Sequence, residues 1–144
     1  MNVVVVEGTV GSAVDRRELA SGTQVWAFAV SAPLGDGHTH AVPVAWNDPP
    51  DIELEEGVDI AVLGTVRRRF FRSGGQTVSR TEVLAEAVVV GTDRRRRNAL
   101  LTKAAARLQA DPRRSAGAPE RRRASLVRPA LGLRTPPGRV AADE

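Results

Sequence analysis

Residues 58–90 read VDIAVLGTVRRRFFRSGGQTVSRTEVLAEAVVV, and this stretch decides the fold. Residues 58–71 are rich in β-branched and aromatic side chains and predict a long strand. Residues 77–90 predict another, apolar almost without a break from Ala85 onward. Between them, Ser73, Gly74, Gly75 and Gln76 supply the glycine pair that a tight hairpin needs, so the two strands are antiparallel. The segment next to this turn is unusual. Of the chain's five aromatic residues (two Trp and three Phe), two lie in RRRFFR, residues 67–72, among four arginines. The strand period of two puts Arg67, Arg69 and Phe71 on one face and Arg68, Phe70 and Arg72 on the other.

Upstream of this hairpin the chain predicts three more strands. Residues 3–6 and 10–14 form one strand that bends at Gly8 and Gly11. Residues 18–23 (ELASGT) read as a turn, and residues 24–32 (QVWAFAVSA) as the second strand, with Trp26, Phe28 and Val30 sharing a face. After the turn PLGDG, residues 40–46 (HAVPVAW) form the third. Pro43 removes a ladder donor there and predicts an edge or a bulge. Residues 47–57 (NDPPDIELEEG) are expected to hold one helical turn with Ile52 and Leu54 pointing inward. Five strands at this spacing, with glycines at the bends, predict an all-β fold: a small antiparallel barrel rather than a sandwich. Apolar residues on both faces of the second and fifth strands fit a barrel, or an oligomer that covers the outer face.

The 144-residue chain changes character after Thr92. Leu100, Leu101, Ala104, Ala105 and Leu108 recur at helical spacing, predicting a short amphipathic helix over residues 98–110. Four consecutive arginines at its start oppose the helix dipole. From residue 111 on, Pro, Gly, Ala, Ser and Arg dominate, the composition of a disordered basic tail. The division is thus 1–92 for the barrel, 93–110 for the helix and 111–144 for the tail. Charge divides in the same place: residues 1–92 carry a net −5 and residues 93–144 a net +9, so the overall +4 belongs to the appendage.

The residues offer little for catalysis. The chain has no cysteine, which leaves no disulfide framework, thiolate nucleophile or thiolate metal site. His38 and His40 have no third ligand near them, and GTVG at 8–11 lacks the length and lysine of a phosphate loop. Asp51, Glu53, Glu55 and Glu56 read as a solvated acidic face. No enzyme, metal or cofactor is expected. No segment supplies the ~20 apolar residues of a membrane span, and a cytoplasmic protein is expected.

The arginine and aromatic pattern carries more information. Single-stranded nucleic acid is held by cations along its phosphates and by flat side chains on which bases stack. Arg67, Arg69 and Phe71 provide that combination on one strand face. The competing reading is an edge strand kept soluble by its charges. Trp26 reads as core, since Phe28 and Val30 share its face. Trp46, which ends a proline-broken strand beside Asn47 and Asp48, is expected to resist burial.

Five segments in order resemble a bacterial single-stranded DNA-binding protein: NVVVVEGTVG, SGTQVWAFAVSA, VPVAW, LEEGVDIAVLGTVRRRFF and SGGQTVSRTEVLAEAVVV. The resemblance covers residues 2–91 and implies a five-stranded OB-fold barrel that binds single-stranded DNA with little sequence preference, in replication, recombination or repair. It implies base stacking on Trp46 and Phe71 and backbone contacts from Arg67 and Arg69, and it puts His40 near a position where many members have another stacking aromatic. With these, Arg72 is expected to follow the phosphates, and Phe70 and Trp26 are expected as lesser stacking positions. It also implies a homotetramer, or a mixed oligomer with a paralogue, in a nucleoid-associated role. The chain departs from the family in its short 47–57 connection and in its ending, PPGRVAADE, where the family typically has an acidic tip with a terminal aromatic. A divergent or paralogous member is expected. Two other readings stay open: an OB module that binds a protein, and a binder of single-stranded RNA.

Overall fold

The computed structural model describes residues 1–110; the expected tail at 111–144 lies outside them. Six strand segments and one helix follow in order: β1 (Val4–Val10), β2 (Asp15–Glu18), β3 (Gln24–Pro33), β4 (Thr39–Asn47), β5 (Asp59–Ser73), β6 (Gln76–Val90) and α1 (Arg94–Gln109). They form one sheet in the order β1-β5-β6-β4-β3-β2, and β1 also pairs with β3, which closes a barrel. β1 covers most of the expected first strand but ends at Val10, and β2 lies beyond that strand's expected end at residue 14, outside the ring that β1, β5, β6, β4 and β3 close. The chain leaves the ladder between them, and β2 resumes as a hairpin arm against β3, from Asp15↔Ala27 to Glu18↔Gln24. Residues 15–18, four polar side chains with no apolar alternation, carry no strand signal of their own.

Closure depends on β1 serving two partners. Val4 to Thr9 pair with β5, from Val4↔Gly64 to Thr9↔Asp59, while Thr9 and Val10 pair with Ser31 and Val30 of β3. At the crossing, a Cβ on Gly8 would lie 2.1 Å from the Ser31 carbonyl oxygen, so only glycine lets the backbones pass. A second close approach occurs at Gly64, where a Cβ would lie 2.2 Å from the Leu84 carbonyl oxygen, beside a register shift in the β5–β6 ladder. At the outer end of β1, the Asn2 side chain continues the ladder. Its Oδ1 accepts from the Val66 amide (2.8 Å) and its Nδ2 donates to the Val66 carbonyl (2.6 Å).

Alternation fills the interior with Val10, Phe28, Val30, Val44, Trp46, Ile60, Val62, Val83 and Ala85. The 47–57 connection forms no helical turn. It runs irregularly past the proline pair, yet Leu54 plugs the core at 1 % exposure and Ile52 packs against it, both inward as expected. β4 is not a simple edge. It pairs with β3 along its whole length and, just beyond Pro43, runs parallel to β6 from Val44↔Val83 to Trp46↔Ala85. The proline therefore sits where the second ladder has not yet begun.

The outer apolar face of β5 and β6 is covered from within the chain. Leu100 and Ala104 of α1 are buried against Ala61, Leu63 and Val89. The helix begins at Arg94, four residues before the expected start. Asp93 caps it, its carboxylate accepting from the Arg95 and Arg96 amides, and offsets the arginines that crowd the helix's positive end. The Arg97 guanidinium donates to the Gly91 carbonyl, and Arg107 is paired with Glu86 of β6.

Gly8→Ala should destabilise the fold by about 3 kcal/mol, the upper end of ordinary overpacking, because the obstacle is backbone. Gly35→Ala, where a Cβ meets nothing within 4 Å, should stay within about 0.5 kcal/mol of the native chain in the same urea titration.

Candidate nucleic-acid interface

β5 and β6 are each fifteen residues long, and their partners run out before they end. β1 accompanies β5 only as far as Gly64, and β4 accompanies β6 only over Val83–Ala85. Beyond these points the two strands pair only with each other, up to Ser73↔Gln76, and form a two-stranded ribbon. Gly74 and Gly75, at φ 57° and 80°, make its turn. Because β4 and β6 are parallel, the ribbon and the β3–β4 hairpin leave the barrel in the same direction.

Each ribbon face matches the expected split. The first bears Arg67, Arg69 and Phe71, opposite Glu82, Arg80 and Val78 in register. The second bears Arg68, Phe70 and Arg72, opposite Thr81, Ser79 and Thr77. Phe71 is 39 % exposed and Phe70 65 % exposed, the most open aromatic of the described residues. Each ring has an arginine over it. The Arg69 guanidinium lies 5.5 Å from the Phe71 centroid and that of Arg68 5.3 Å from the Phe70 centroid, while Arg68 also donates to the Ser79 hydroxyl at 2.8 Å.

The Phe71 face continues onto the outer surface of the barrel, where the residues between the core positions of β3 and β4 are small. Ala27, Ala29, Ala41 and Pro43 floor a cleft of about 400 Å3 whose sides carry Ser12, Arg17, Arg80 and Glu82. A second cleft of about 200 Å3 adjoins it and is lined by Val25, Ala45, Asn47, Arg67 and Arg69. Arg17, Ala27 and Glu82 border both. Phe28 also borders the first cleft but is buried in the barrel, so the open aromatic rings among the described residues are Phe70 and Phe71 on the ribbon. Four arginines face the clefts, and three are engaged. Arg17 Nη2 lies 3.3 Å from Asp15 Oδ2, and Arg67 and Arg69 both approach Glu82. Arg80 makes no ion pair among the described residues.

Of the expected site residues, Arg67, Arg69 and Phe71 come together, and Phe70 and Arg72 sit across the ribbon from them. Trp46 does not join them. It is 7 % exposed inside the barrel, which corrects the expectation that it resists burial. Its β6 partner Ala85 is seven residues from Val78, the partner of Phe71, or roughly 23 Å along the strand. The short run of β4 after Pro43 lies between β3 and β6, so Trp46 ends an interior strand and turns inward. Trp26 pairs with it across the ladder, edge to face, with centroids 6.0 Å apart. The Arg16 guanidinium lies 4.6 Å from the Trp26 centroid and donates to the Leu54 carbonyl at 3.1 Å, which closes that part of the barrel. His40 is exposed near the start of β4, opposite Ala32. Arg17, Arg80 and Glu82 were not anticipated. Arg80 and Glu82 could have been found by counting back from the turn, which puts them opposite Arg69 and Arg67. Arg17 needed β2, which has no sequence signal.

No family model matches this chain, and no curated protein matches it in sequence. Solved structures do. The dimeric N-terminal domain of the PriB protein from Thermoanaerobacter tencongensis aligns with a TM-score of 0.53 at 17% identity, covering 64% of this chain and 98% of that one. The Plasmodium falciparum SSB in complex with single-stranded DNA aligns at 0.54 and 18% identity, covering 64% and 96%. The chain has an OB fold of this SSB-like form, a closed barrel of five strands followed, among the described residues, by one helix.

Trp46 should behave as a core residue. With Trp26→Phe, the one remaining tryptophan should emit at short wavelength and resist acrylamide quenching. Trp46→Ala should cost ~3–5 kcal/mol in a denaturant titration.

Proposed function

We propose that this protein binds single-stranded DNA with little sequence preference, along the ribbon face that carries Arg69, Arg80 and Phe71 and across the adjoining alanine-floored clefts. The observation that supports this most directly is Phe71 at the ribbon, 39 % exposed, with two arginines beside it on the same face. An edge protected only by charge has no use for exposed rings, and two of the three phenylalanines are here. Bases stack on Phe71, while Arg69, Arg80 and, at the tip, Arg72 follow the phosphates. Phe70 offers a second platform to a strand that passes over the ribbon. Trp46 and Trp26 support the barrel in this reading and hold no base, and His40 lies at its margin. The structures that the chain resembles support the reading. One is described as an SSB in complex with single-stranded DNA and the other as a dimer, and we extend to this chain a role in replication, recombination or repair as a homo-oligomer.

A protein-binding OB module is the second reading, and the net charge of −5 over residues 1–92 favours it. Anisotropy of a labelled oligo-dT separates the two. Three phosphate contacts should give a slope of log affinity against log salt of about −2, at about −0.7 for each. Phe71→Ala should weaken binding by ~1–3 kcal/mol with the melting curve unchanged. No binding by the native chain, or a loss no larger than that of Thr9→Ala, would favour the protein-binding module. A matched oligo-rU, measured in the same way, establishes whether the strand is DNA or RNA.

A further inference from the structure

Glu82 stands apart from the rest of the interface. It is the one charged side chain buried among the described residues, at 4 % exposure, and it borders both clefts on the face that carries the arginines. A single oxygen does most of its bonding. Oε1 accepts from Arg67 Nε at 2.9 Å, lies 2.8 Å from Arg67 Nη2, and has Arg69 Nε at 3.6 Å. Two guanidinium groups thus converge on one anionic oxygen, the arrangement in which arginines take a phosphate.

Stability is a weak reason for this arrangement. Burying a carboxylate carries a desolvation cost that its partner's attraction need not repay, and apolar side chains in the same place often hold a fold as well. The neighbouring rungs of the ribbon manage without a carboxylate, since Ser79 and Thr81 of β6 face Phe70 and Arg68.

We propose that Glu82 is a built-in stand-in for a phosphate, regulating the strand-binding face described above. It holds Arg67 and Arg69 in the geometry of a bound anion and cancels part of their charge. Affinity is thereby held below what four arginines would give, and a single strand can be released as well as captured. This inference rests on the proposed function, and its failure is distinguishable from the failure of that function.

Glu82→Gln keeps the shape and removes the charge. Measured on the full chain with labelled oligo-dT at about 50 mM and about 200 mM salt, this variant should bind severalfold more tightly at the lower concentration. Its salt slope should steepen by about 0.7 for a freed Arg67. Unchanged or weaker binding would overturn the proposal. The paired variant Arg67→Gln/Glu82→Gln removes both partners and leaves no buried charge unpaired, so it tests the idea even if the single variant folds poorly. It should bind no more tightly than the native chain and with no steeper a slope, since Arg67 is no longer there to be freed. A slope shallower than native by about 0.7 would show that Arg67 already meets a phosphate in the native chain, and would overturn the proposal. If the native chain fails to bind at either salt, both this proposal and the proposed function fall. If it binds and Glu82→Gln does not tighten it, this proposal alone falls.

Discussion

The architecture depends on one close passage of backbone, where β1 crosses from β5 to β3 at Gly8. Thr9 pairs there with Asp59 on one side and Ser31 on the other, and the Ser31 carbonyl occupies the space that any side chain at position 8 would need. This crossing turns an open sheet into a ring. It also fixes how much of β5 has a partner: β1 is seven residues long, β5 fifteen, and the excess has nowhere to pair except with β6. The ribbon is thus a consequence of closure. A barrel whose first strand matched its fourth in length would have no such extension.

A two-stranded ribbon has no interior, and that determines what its residues can do. On β5 the side chains that would continue the core positions of Ile60 and Val62 become Arg68, Phe70 and Arg72, facing solvent. Those that would continue the outer positions become Arg67, Arg69 and Phe71, in line with the small residues of β3 and β4. The arginines keep the ribbon from pairing edge to edge with other chains, and they hold rings that would otherwise be bare apolar surface. Solubility and the proposed strand binding would need the same residues here, so the charged-edge and binding readings of this segment are compatible. What favours binding is the floor beside the ribbon, where Ala27, Ala29 and Ala41 leave room against the sheet for something flat.

The barrel was legible because its signals are local. Glycine pairs mark the turns, and alternation marks the strands. The period of two across residues 67–72 assigns each arginine and phenylalanine to the face where it lies. What was hidden depends on partners distant in sequence. β2 is four polar residues whose strand character comes wholly from pairing with β3. Trp46 looked exposed because its neighbours are polar and a proline precedes it, yet burial at a strand end is set by what flanks the strand, and β6 arrives there in parallel from 39 residues away. Asp93 was passed over because the arginines after it argue against a helix start. The same arginines explain why a carboxylate is needed at that cap. The apolar outer face of the fifth strand left two explanations open, and α1 shows that the covering surface comes from within the chain.

Charge behaves in the same way, since local pairing and not the total decides what the surface offers. Residues 1–92 carry a net −5, which taken alone argues against a polyanion as ligand. Their arginines are nevertheless concentrated on the ribbon and its base, and many of the carboxylates lie elsewhere, as in the 51–56 connection. Two carboxylates do reach the arginine face, and each engages what is there: Asp15 takes Arg17, and Glu82 takes Arg67 with Arg69 nearby. The face that a strand would meet is therefore positive only in part, with Arg80 open and Arg69 partly shared. An interface of this kind gains less from electrostatic attraction than its arginine count suggests, and relies more on its rings. Under the proposed function, Phe71 and Phe70 consequently matter more than they would beside unpaired arginines, and the proposal carries with it a preference for stackable single strands over duplex, whose bases already stack on one another.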